Sequence, residues 1–124
     1  MIRFLVILFF ALCLFQQGAE AASVQCTEEI ARGTASWYGP GFIGAKTKSG
    51  ELFQPAMLSA AHPSLPFGTV VKVTNLRNAR SINVRINDRG AFKKNVIDVS
   101  EGAAYELGMV NDGIAPVALF ICRQ

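Results

Sequence analysis

A succession of short β-type segments separated by turn residues is the feature that most limits how this 124-residue chain can fold. Thr69–Asn75 is rich in β-branched residues, and Ser81–Asn87 alternates apolar with polar side chains. Such a period-two alternation predicts a strand with one buried and one polar face. Four further segments have the composition of short strands: 32–38, 57–61, 96–99 and 114–122. Six or seven short strands favour a small, mainly β barrel over a sandwich.

One short helix is predicted between the last two strands. Ser100 is a suitable N-cap, and Ala103 and Leu107 are spaced to face a core. Gly108 is suited to the C-terminal end of this helix. In the final strand, Pro116 cannot donate a hydrogen bond to a neighbouring strand, so it predicts an edge or a bulge.

The first residues have the pattern of a secretory signal peptide. Arg3 supplies a positive charge, and Phe4–Phe15 is an unbroken run of twelve apolar residues. A helix needs roughly 20 apolar residues to cross a bilayer, so an uncleaved membrane anchor is the less favoured interpretation. Small residues follow the run, and we therefore expect residues 1–22 to be removed by cleavage near Ala21 or Ala22.

Neither of the first two cysteines follows the small residue that a lipoprotein signal requires. Cys13 follows a leucine within the apolar run, and Cys26 follows a glutamine. We therefore expect an exported protein, periplasmic or secreted, with no lipid anchor and no stable membrane anchor. Residues 23–31 are polar and are predicted to form an irregular lead-in, and residues 32–124 are predicted to form one domain.

Two cysteines, Cys26 and Cys122, lie near the two ends of the exported chain. In an oxidising compartment such a pair predicts one disulfide, and two free thiols are the alternative. His62 is the single histidine and no Cys-x-x-Cys motif occurs, so the sequence predicts no metal site and suggests no cofactor.

The net charge of the chain is mildly positive, at +3. This excess favours weak attraction to anionic polymers. Lys93 and Lys94 form the only adjacent basic pair, and the predicted helix has no basic face. Nucleic acid is therefore not an expected partner.

Three carboxylates stand in settings that suit chemistry on a glycosidic bond. Glu51 follows Ser-Gly in a loop, Asp88 lies where a polar-faced strand turns, and Asp98 has an apolar neighbour on either side. Cleavage needs a carboxyl group that is protonated to assist the leaving oxygen, and burial or a nearby carboxylate favours that state. Each acid also has a structural interpretation: Asp88 as a turn former, Asp98 as a helix cap or ion-pair partner, and Glu51 as a solvated residue. An ion pair between Asp88 and Arg89 would favour the ionised form of Asp88.

Three other residues suit a carbohydrate site. Trp37 and Tyr38 precede a Gly-Pro turn, and they belong either to the core or to a surface on which a sugar ring stacks. His62 lies at the end of a predicted strand. It either forms a structural hydrogen bond there or takes part in the site.

Five segments occur in the order and spacing found in RlpA-like (rare lipoprotein A) proteins. They are GTASWYG at Gly33–Gly39, TKSGE at Thr47–Glu51, LSAAHPSLPFGTVVKVTN at Leu58–Asn75, VRINDRGAF at Val84–Phe92 and VIDVS at Val96–Ser100. The sequence thus resembles this family over residues 32–121. The resemblance implies a six-stranded double-psi β-barrel with one short helix, similar to expansin and barwin domains.

The resemblance also implies a peptidoglycan lytic transglycosylase, a lyase acting between N-acetylmuramic acid and N-acetylglucosamine. The muramyl C6 hydroxyl attacks in place of water and leaves a 1,6-anhydro end, and strands without stem peptides are preferred. Peptidoglycan glycan strands would be the partner of a monomeric protein. The alternative is a non-catalytic module of expansin or barwin type that binds wall polysaccharide or another protein.

By the same resemblance, Asp88 is expected to be the principal acid/base and Glu51 its partner carboxylate. His62 and Arg89 would bind substrate or tune the pKa values of these acids, together with the two aromatic residues of the first motif. In related barrels the acid occupies the position of Asp98, which makes Asp98 a rival for the acid/base role.

Overall fold

The computed structural model describes residues 23–39, 41, 43–91 and 94–124. The predicted signal peptide at residues 1–22 lies outside these ranges. Within them, none of the helical structure has the length and apolarity that crossing a membrane requires.

The described residues form a closed six-stranded barrel with one short helix, as the sequence predicts. The strands are β1 (Gln25–Tyr38), β2 (Ser59–Ala61), β3 (Val70–Asn75), β4 (Ser81–Asp88), β5 (Asn95–Ser100) and β6 (Ile114–Arg123), and helix α1 (Glu101–Glu106) lies between the last two. Around the barrel the order is β1-β5-β2-β4-β3-β6. The β1–β5 and β2–β4 pairs are parallel, and the other neighbours are antiparallel. Strands distant in sequence therefore lie side by side.

Alternating apolar residues of the strands fill the barrel. Val71 and Val73 of β3 face inward with Val84 and Ile86 of β4, and each is at most 1 % exposed. Full burial of such a side chain stabilises the fold by about 1.5–3 kcal/mol. The alternation at 81–87 therefore predicted the inward face of β4 correctly.

The predicted irregular lead-in at 23–31 is wrong for most of its length, because β1 begins at Gln25. This half of β1 pairs antiparallel with the end of β6, with register shifts near Glu28 and Glu29. Most of its side chains are exposed, which accounts for the polar composition that disguised it. A strand on a barrel surface needs hydrogen bonds from a partner strand more than it needs apolar side chains.

The predicted disulfide between Cys26 and Cys122 is present. It joins the first residues of β1 to the last residues of β6 across a sequence separation of 96 residues. An ion pair between Glu28 and Arg123, at 3.1 Å, lies beside it. The two ends of the described chain are thus held together both by the hydrogen bonds between β1 and β6 and by a covalent bond.

Pro116 lies inside β6, opposite Thr34 of β1, at neither an edge nor a bulge. Its carbonyl accepts a hydrogen bond from the Leu76 amide at 2.8 Å, one position beyond the last β3–β6 pair, Asn75 with Val117. In a strand, the amide and the carbonyl of one residue point to the same side. The N–H that Pro116 lacks would therefore point toward β3, beyond the last pair of the β3–β6 ladder. The prediction of an edge or bulge is therefore wrong, because a ladder end accommodates the proline equally well.

Two further elements near the site follow the sequence closely. Strand β2 is shorter than the predicted 57–61, because the Met57 amide turns back to the Gln54 carbonyl at 3.0 Å. Helix α1 has the predicted N-cap, with the Ser100 hydroxyl accepting from the Ala103 amide at 3.3 Å. Gly108 follows the helix with φ of +68°, a conformation that favours glycine.

Candidate carboxylate site

The short strand β2 brings two of the predicted acids into one row. Ala61 pairs with Asp88 of β4 on one side and with Asp98 of β5 on the other. Asp98 pairs in turn with Ser36 of β1. Neighbouring strands lie just under 5 Å apart, so the backbones of the two acids are separated by roughly 10 Å. The methyl group of Ala61 is the only side chain between them in this row.

A local irregularity in β4 places Asp88 in this row. The partners of β2 step from Ile86 opposite Ala60 to Asp88 opposite Ala61, so β4 contributes one extra residue. That residue, Asn87, is fully buried. An inserted residue turns the following side chain to the other face of the sheet. Asp88 consequently shares a face with Ala61, away from the interior that Ile86 fills.

The carboxylate of Asp88 is held by backbone amides. Its Oδ1 accepts hydrogen bonds from the amides of Lys48 at 3.0 Å and Arg89 at 2.9 Å. No ion pair joins Asp88 to the Arg89 guanidinium among the residues that the structure describes. Within the same ranges no hydrogen bond to Oδ2 is found.

Asp98 is nearly buried, with 6 % of its surface exposed. Its Oδ1 accepts a hydrogen bond from the Ser36 hydroxyl, and that hydroxyl accepts one from the Asn95 amide nitrogen at 3.0 Å. Ser100, not Asp98, caps α1, and no described basic residue pairs with Asp98. Neither structural interpretation of Asp98 is thus realised. Sequence reasoning missed Ser36 and Asn95, although both lie within or beside the family motifs.

The pKa of Tyr38 is affected by both acids. Burial raises the pKa of its hydroxyl to about 12, and the charges of Asp88 and Asp98 act in the same direction. Its ring contacts Phe53, with 4.8 Å between ring centroids. Trp37 points to the opposite side of β1 and packs against the hydrophobic core. The structure therefore separates the two predicted aromatic residues, and it brings only Tyr38 to the carboxylate row.

Glu51 reaches the site through a loop and carries an ion pair. Both of its carboxylate oxygens accept hydrogen bonds from the Arg85 guanidinium at 2.6 Å. This pairing lowers the pKa of Glu51 and raises that of Arg85. The same loop donates the Lys48 amide to Asp88 and the Ser49 amide to the Asn87 carbonyl at 3.2 Å. The Glu51 carboxylate is thus held by Arg85 rather than simply solvated, and its loop contacts Asp88 through the Lys48 amide.

Sequence reasoning missed Arg85 as a partner of Glu51. The available signal was its position on the polar face of β4, two residues before the bulge. A charged residue facing outward from a strand is usually solvated. Only the folded loop shows that this guanidinium has a fixed carboxylate partner.

His62 borders the row at the end of β2, where its amide donates to the Asp88 carbonyl at 3.2 Å. Its Nδ1 accepts hydrogen bonds from the amides of Ser64 at 3.1 Å and Leu65 at 3.0 Å. These contacts require the neutral ring with its hydrogen on Nε2. Burial, with a smaller contribution from the charge of Arg89, lowers the pKa of His62.

Arg89 lies on the other side of this turn. Its Nη1 donates to the His62 carbonyl at 3.4 Å, and its guanidinium carbon lies 4.1 Å from the centroid of the Phe67 ring. Phe67 is 42 % exposed and was not predicted as part of the site. No cluster of three metal-ligating side chains occurs in the part of the chain that the structure describes.

Comparison with known proteins agrees with this architecture. A protein-family model described as "Lytic transglycolase", of double-psi β-barrel type, matches residues 30–119. The chain is similar to an endolytic peptidoglycan transglycosylase RlpA of Campylobacter jejuni, with 52 % identity over 98 residues. It is also similar to a protein of that name from Neisseria meningitidis, with 48 % identity over 96 residues. These alignments cover 78 % and 77 % of this chain but only 36 % and 40 % of the two relatives.

Two solved structures share the fold. A Streptomyces papain inhibitor superposes with a TM-score of 0.63 at 18 % identity, covering 82 % of this chain and all of the inhibitor. An expansin of Clavibacter michiganensis superposes with a TM-score of 0.60 at 24 % identity, covering 75 % of this chain and 50 % of the expansin. At these identities the likeness concerns the fold alone. The family-model match over most of the barrel shows that the chain belongs to the lytic transglycolase family with a double-psi β-barrel.

Proposed function

We propose that this barrel is a peptidoglycan lytic transglycosylase that cleaves glycan strands between N-acetylmuramic acid and N-acetylglucosamine. The observation that carries the proposal is the row of Asp88 and Asp98 on either side of Ala61. Relatives about 50 % identical bear the name endolytic peptidoglycan transglycosylase, although this chain spans well under half of their length.

The proposed reaction needs one group that gives a proton and takes one back. The acid protonates the glycosidic oxygen as its bond to the muramyl C1 breaks. The muramyl C6 hydroxyl then attacks C1, returns its proton to the carboxylate and closes the 1,6-anhydro ring. No water is consumed, so one carboxyl group can serve both steps.

Asp88 is the principal candidate for this group, with Asp98 as its rival. Oδ2 of Asp88 is proposed to meet the sugar, while two fixed amides hold Oδ1. Asp98 is more deeply buried, with the Ser36 hydroxyl as its partner. In either case the second acid supplies negative charge close to the cation-like transition state.

Two neighbours of Asp88 are proposed to support the reaction. Glu51 remains ionised because of Arg85, so its proposed role as partner carboxylate is electrostatic, and its loop also holds the Lys48 amide against Asp88. Neutral His62 is proposed to donate from Nε2 to a sugar hydroxyl, since its Nδ1 is occupied by backbone amides.

The decisive experiment incubates the purified barrel with peptidoglycan stripped of its stem peptides and searches for anhydromuramyl products by mass spectrometry. Replacement of the acid/base is expected to reduce activity about 10²–10⁴-fold, as is usual for such groups. Asp88→Asn is expected to show this loss. The matched control is Asp112→Asn, an exposed acid paired with Arg77 outside the row.

Each outcome of this experiment assigns a role. Full activity in Asp88→Asn together with a loss in Asp98→Asn would give the acid/base role to Asp98. Folded wild-type protein that binds the strands but yields no anhydro product would overturn the enzyme proposal. That result would favour the non-catalytic wall-binding alternative.

Export is part of the proposal, because the substrate lies outside the cytoplasm. We propose that residues 1–22 direct export and are cleaved near Ala21 or Ala22, which releases a monomeric protein. The disulfide between Cys26 and Cys122 supports an oxidising destination. N-terminal sequencing of the exported protein tests the cleavage site, and a mature protein that still begins at Met1 would contradict it.

A further inference from the structure

We propose that Arg89 binds the free lactyl carboxylate of the muramyl residue and thereby makes the site selective for strands without stem peptides. The inference rests on the proposed function and adds to it the residue that reads the substrate.

Arg89 is unusual among the arginines of the barrel. Four of the six arginines in the described ranges pair with a carboxylate: Arg32, Arg77, Arg85 and Arg123. Within those ranges, only Arg80 and Arg89 have no such partner. Arg80 immediately precedes β4 and Arg89 immediately follows it, so the two unpaired guanidinium groups lie at opposite ends of one strand.

The Arg89 guanidinium is nevertheless held in place. One face lies over the Phe67 ring at 4.1 Å, and Nη1 donates to the His62 carbonyl at 3.4 Å. Nε and Nη2 have no hydrogen-bond partner among the described residues. An ordered, partly buried guanidinium with two open donors is prepared to bind a planar anion, because little side-chain entropy remains to be lost.

The chemistry of peptidoglycan supplies such an anion at the required place. Of the two alternating sugars, only the muramyl residue carries a lactyl ether, on C3. Its carboxyl group is an amide while the stem peptide is attached and becomes a free carboxylate when the peptide is removed. The proposed reaction occurs at C1 of this same sugar, beside Asp88. The carboxylate would therefore lie within one sugar ring of Asp88, and the Arg89 guanidinium is anchored to the neighbouring His62 carbonyl, whose own amide donates to the Asp88 carbonyl.

A stem peptide would remove the negative charge that Arg89 binds. The neutral amide cannot form the charge-assisted, two-pronged contact of a carboxylate with a guanidinium. The backbone hydrogen bond from Arg89 to Asp88, at 2.9 Å, links the specificity residue directly to the reacting group. Substrate selection and proton transfer would thus share one turn of the chain.

The test compares two forms of the same peptide-free glycan: one with free lactyl carboxylates and one with those carboxylates converted to primary amides. Wild-type protein is expected to cleave the free-acid form with a kcat/KM about 10- to 100-fold higher than that of the amidated form, the range of one charge-assisted contact. Arg89→Met is expected to remove this preference, so that the kcat/KM values for the free acid and for the amide become nearly equal.

Arg80→Met is the matched control, because it removes an equally unpaired guanidinium from the other end of β4. It is expected to keep the wild-type ratio between the two glycans. If Arg89→Met does not fold, Arg89→Gln replaces it, since glutamine retains a planar donor for the His62 carbonyl without the charge. A wild-type ratio in either folded Arg89 variant would overturn the inference. A wild-type protein that cleaves neither glycan would instead refute the proposed function.

Discussion

At the scale of single residues, the carboxylates of this barrel differ in their partners. Asp88 is bound by backbone amides, Asp98 by a hydroxyl group and Glu51 by a guanidinium. Each partner gives its acid a different environment: the two amides hold Asp88 at a turn, the hydroxyl group holds the nearly buried Asp98, and the guanidinium neutralises the partly exposed Glu51. The three acids thus differ in their surroundings, and these surroundings are the basis on which different roles are proposed for them.

The ion pair between Glu51 and Arg85 is predicted to hold the loop that supplies the Lys48 amide to Asp88. Glu51→Gln or Arg85→Met should increase amide hydrogen exchange at Lys48, and the charge reversal Glu51→Arg with Arg85→Glu should restore much of its protection. Glu28→Gln, which removes a comparable pair near the disulfide, serves as control. Unchanged exchange in both single variants would show that the loop does not depend on the pair.

The state of His62 predicts a pH dependence. Because its folded pKa lies below the ordinary 6.5, the unfolded chain takes up the proton first as the pH falls. The contribution of His62 to the free energy of unfolding should therefore be fully present above pH 6.5. It should decrease as the pH falls from 6.5 toward the folded pKa. NMR titration should show a neutral ring with hydrogen on Nε2 at pH 7.

A variant isolates this contribution of His62. In His62→Asn, the side-chain oxygen can still accept from the Ser64 and Leu65 amides, but nothing titrates there. The melting temperature of this variant should depend less on pH between 7.5 and 5.5 than that of the wild type. An identical pH dependence would exclude His62 as its source.

At the scale of elements, two features lie close to the site: the bulge in β4 and the tight contact of α1 with the segment that precedes β2. The bulge turns Asp88 into the row beside Ala61. Helix α1 follows β5 directly and packs on the segment before β2, where the Gly102 amide donates to the Pro55 carbonyl at 2.7 Å. The antiparallel pairing of β2 with β5 then places Asp98 on the other side of Ala61.

Gly102→Ala is predicted to destabilise the protein, although alanine usually stabilises a helix by 0.5–1 kcal/mol relative to glycine. An added Cβ would lie 2.9 Å from the Ala56 carbonyl oxygen and 3.0 Å from that of Pro55. Displacement of these backbone atoms should cost about 1–3 kcal/mol. Urea denaturation measures the change, with the exposed Glu106→Ala in the same helix as control. A more stable Gly102→Ala variant would contradict the close packing.

At the scale of the whole molecule, closure of the barrel depends on pairing of the first strand with the last. β1 lies between β5 and β6, so its hydrogen bonds complete the cylinder. The disulfide connects these same two strands at their outer ends. Strand pairing holds the chain ends together in the folded state, and the disulfide alone still restricts their separation on unfolding.

Removal of the disulfide is therefore predicted to lower stability strongly. In the chain-entropy model, closing a loop of this size stabilises by about 4–5 kcal/mol. The double variant Cys26→Ser with Cys122→Ser should unfold at a much lower urea concentration than the oxidised wild type. The intact mass of the wild type should rise by two hydrogen atoms when a thiol reductant cleaves the disulfide. A difference of less than about 1 kcal/mol in the free energy of unfolding between the oxidised wild type and the double variant would contradict this role.

The sequence by itself determined the strands with clear alternation, the capped helix, the cysteine pair and, through five motifs, the fold family. The strands and the helix depend on local backbone chemistry. The cysteines, although 96 residues apart, are the two that remain in the predicted exported chain, and the fold family follows from the order of the motifs. Only the tertiary structure decided that Asp88 and Asp98 meet across Ala61, because that row is made by strands that are not neighbours in sequence. It also gave Glu51 its partner Arg85 and extended β1 through a polar segment. In each case the outcome depended on a hydrogen-bond partner that is distant along the chain, and such a partner cannot be identified from composition or local pattern.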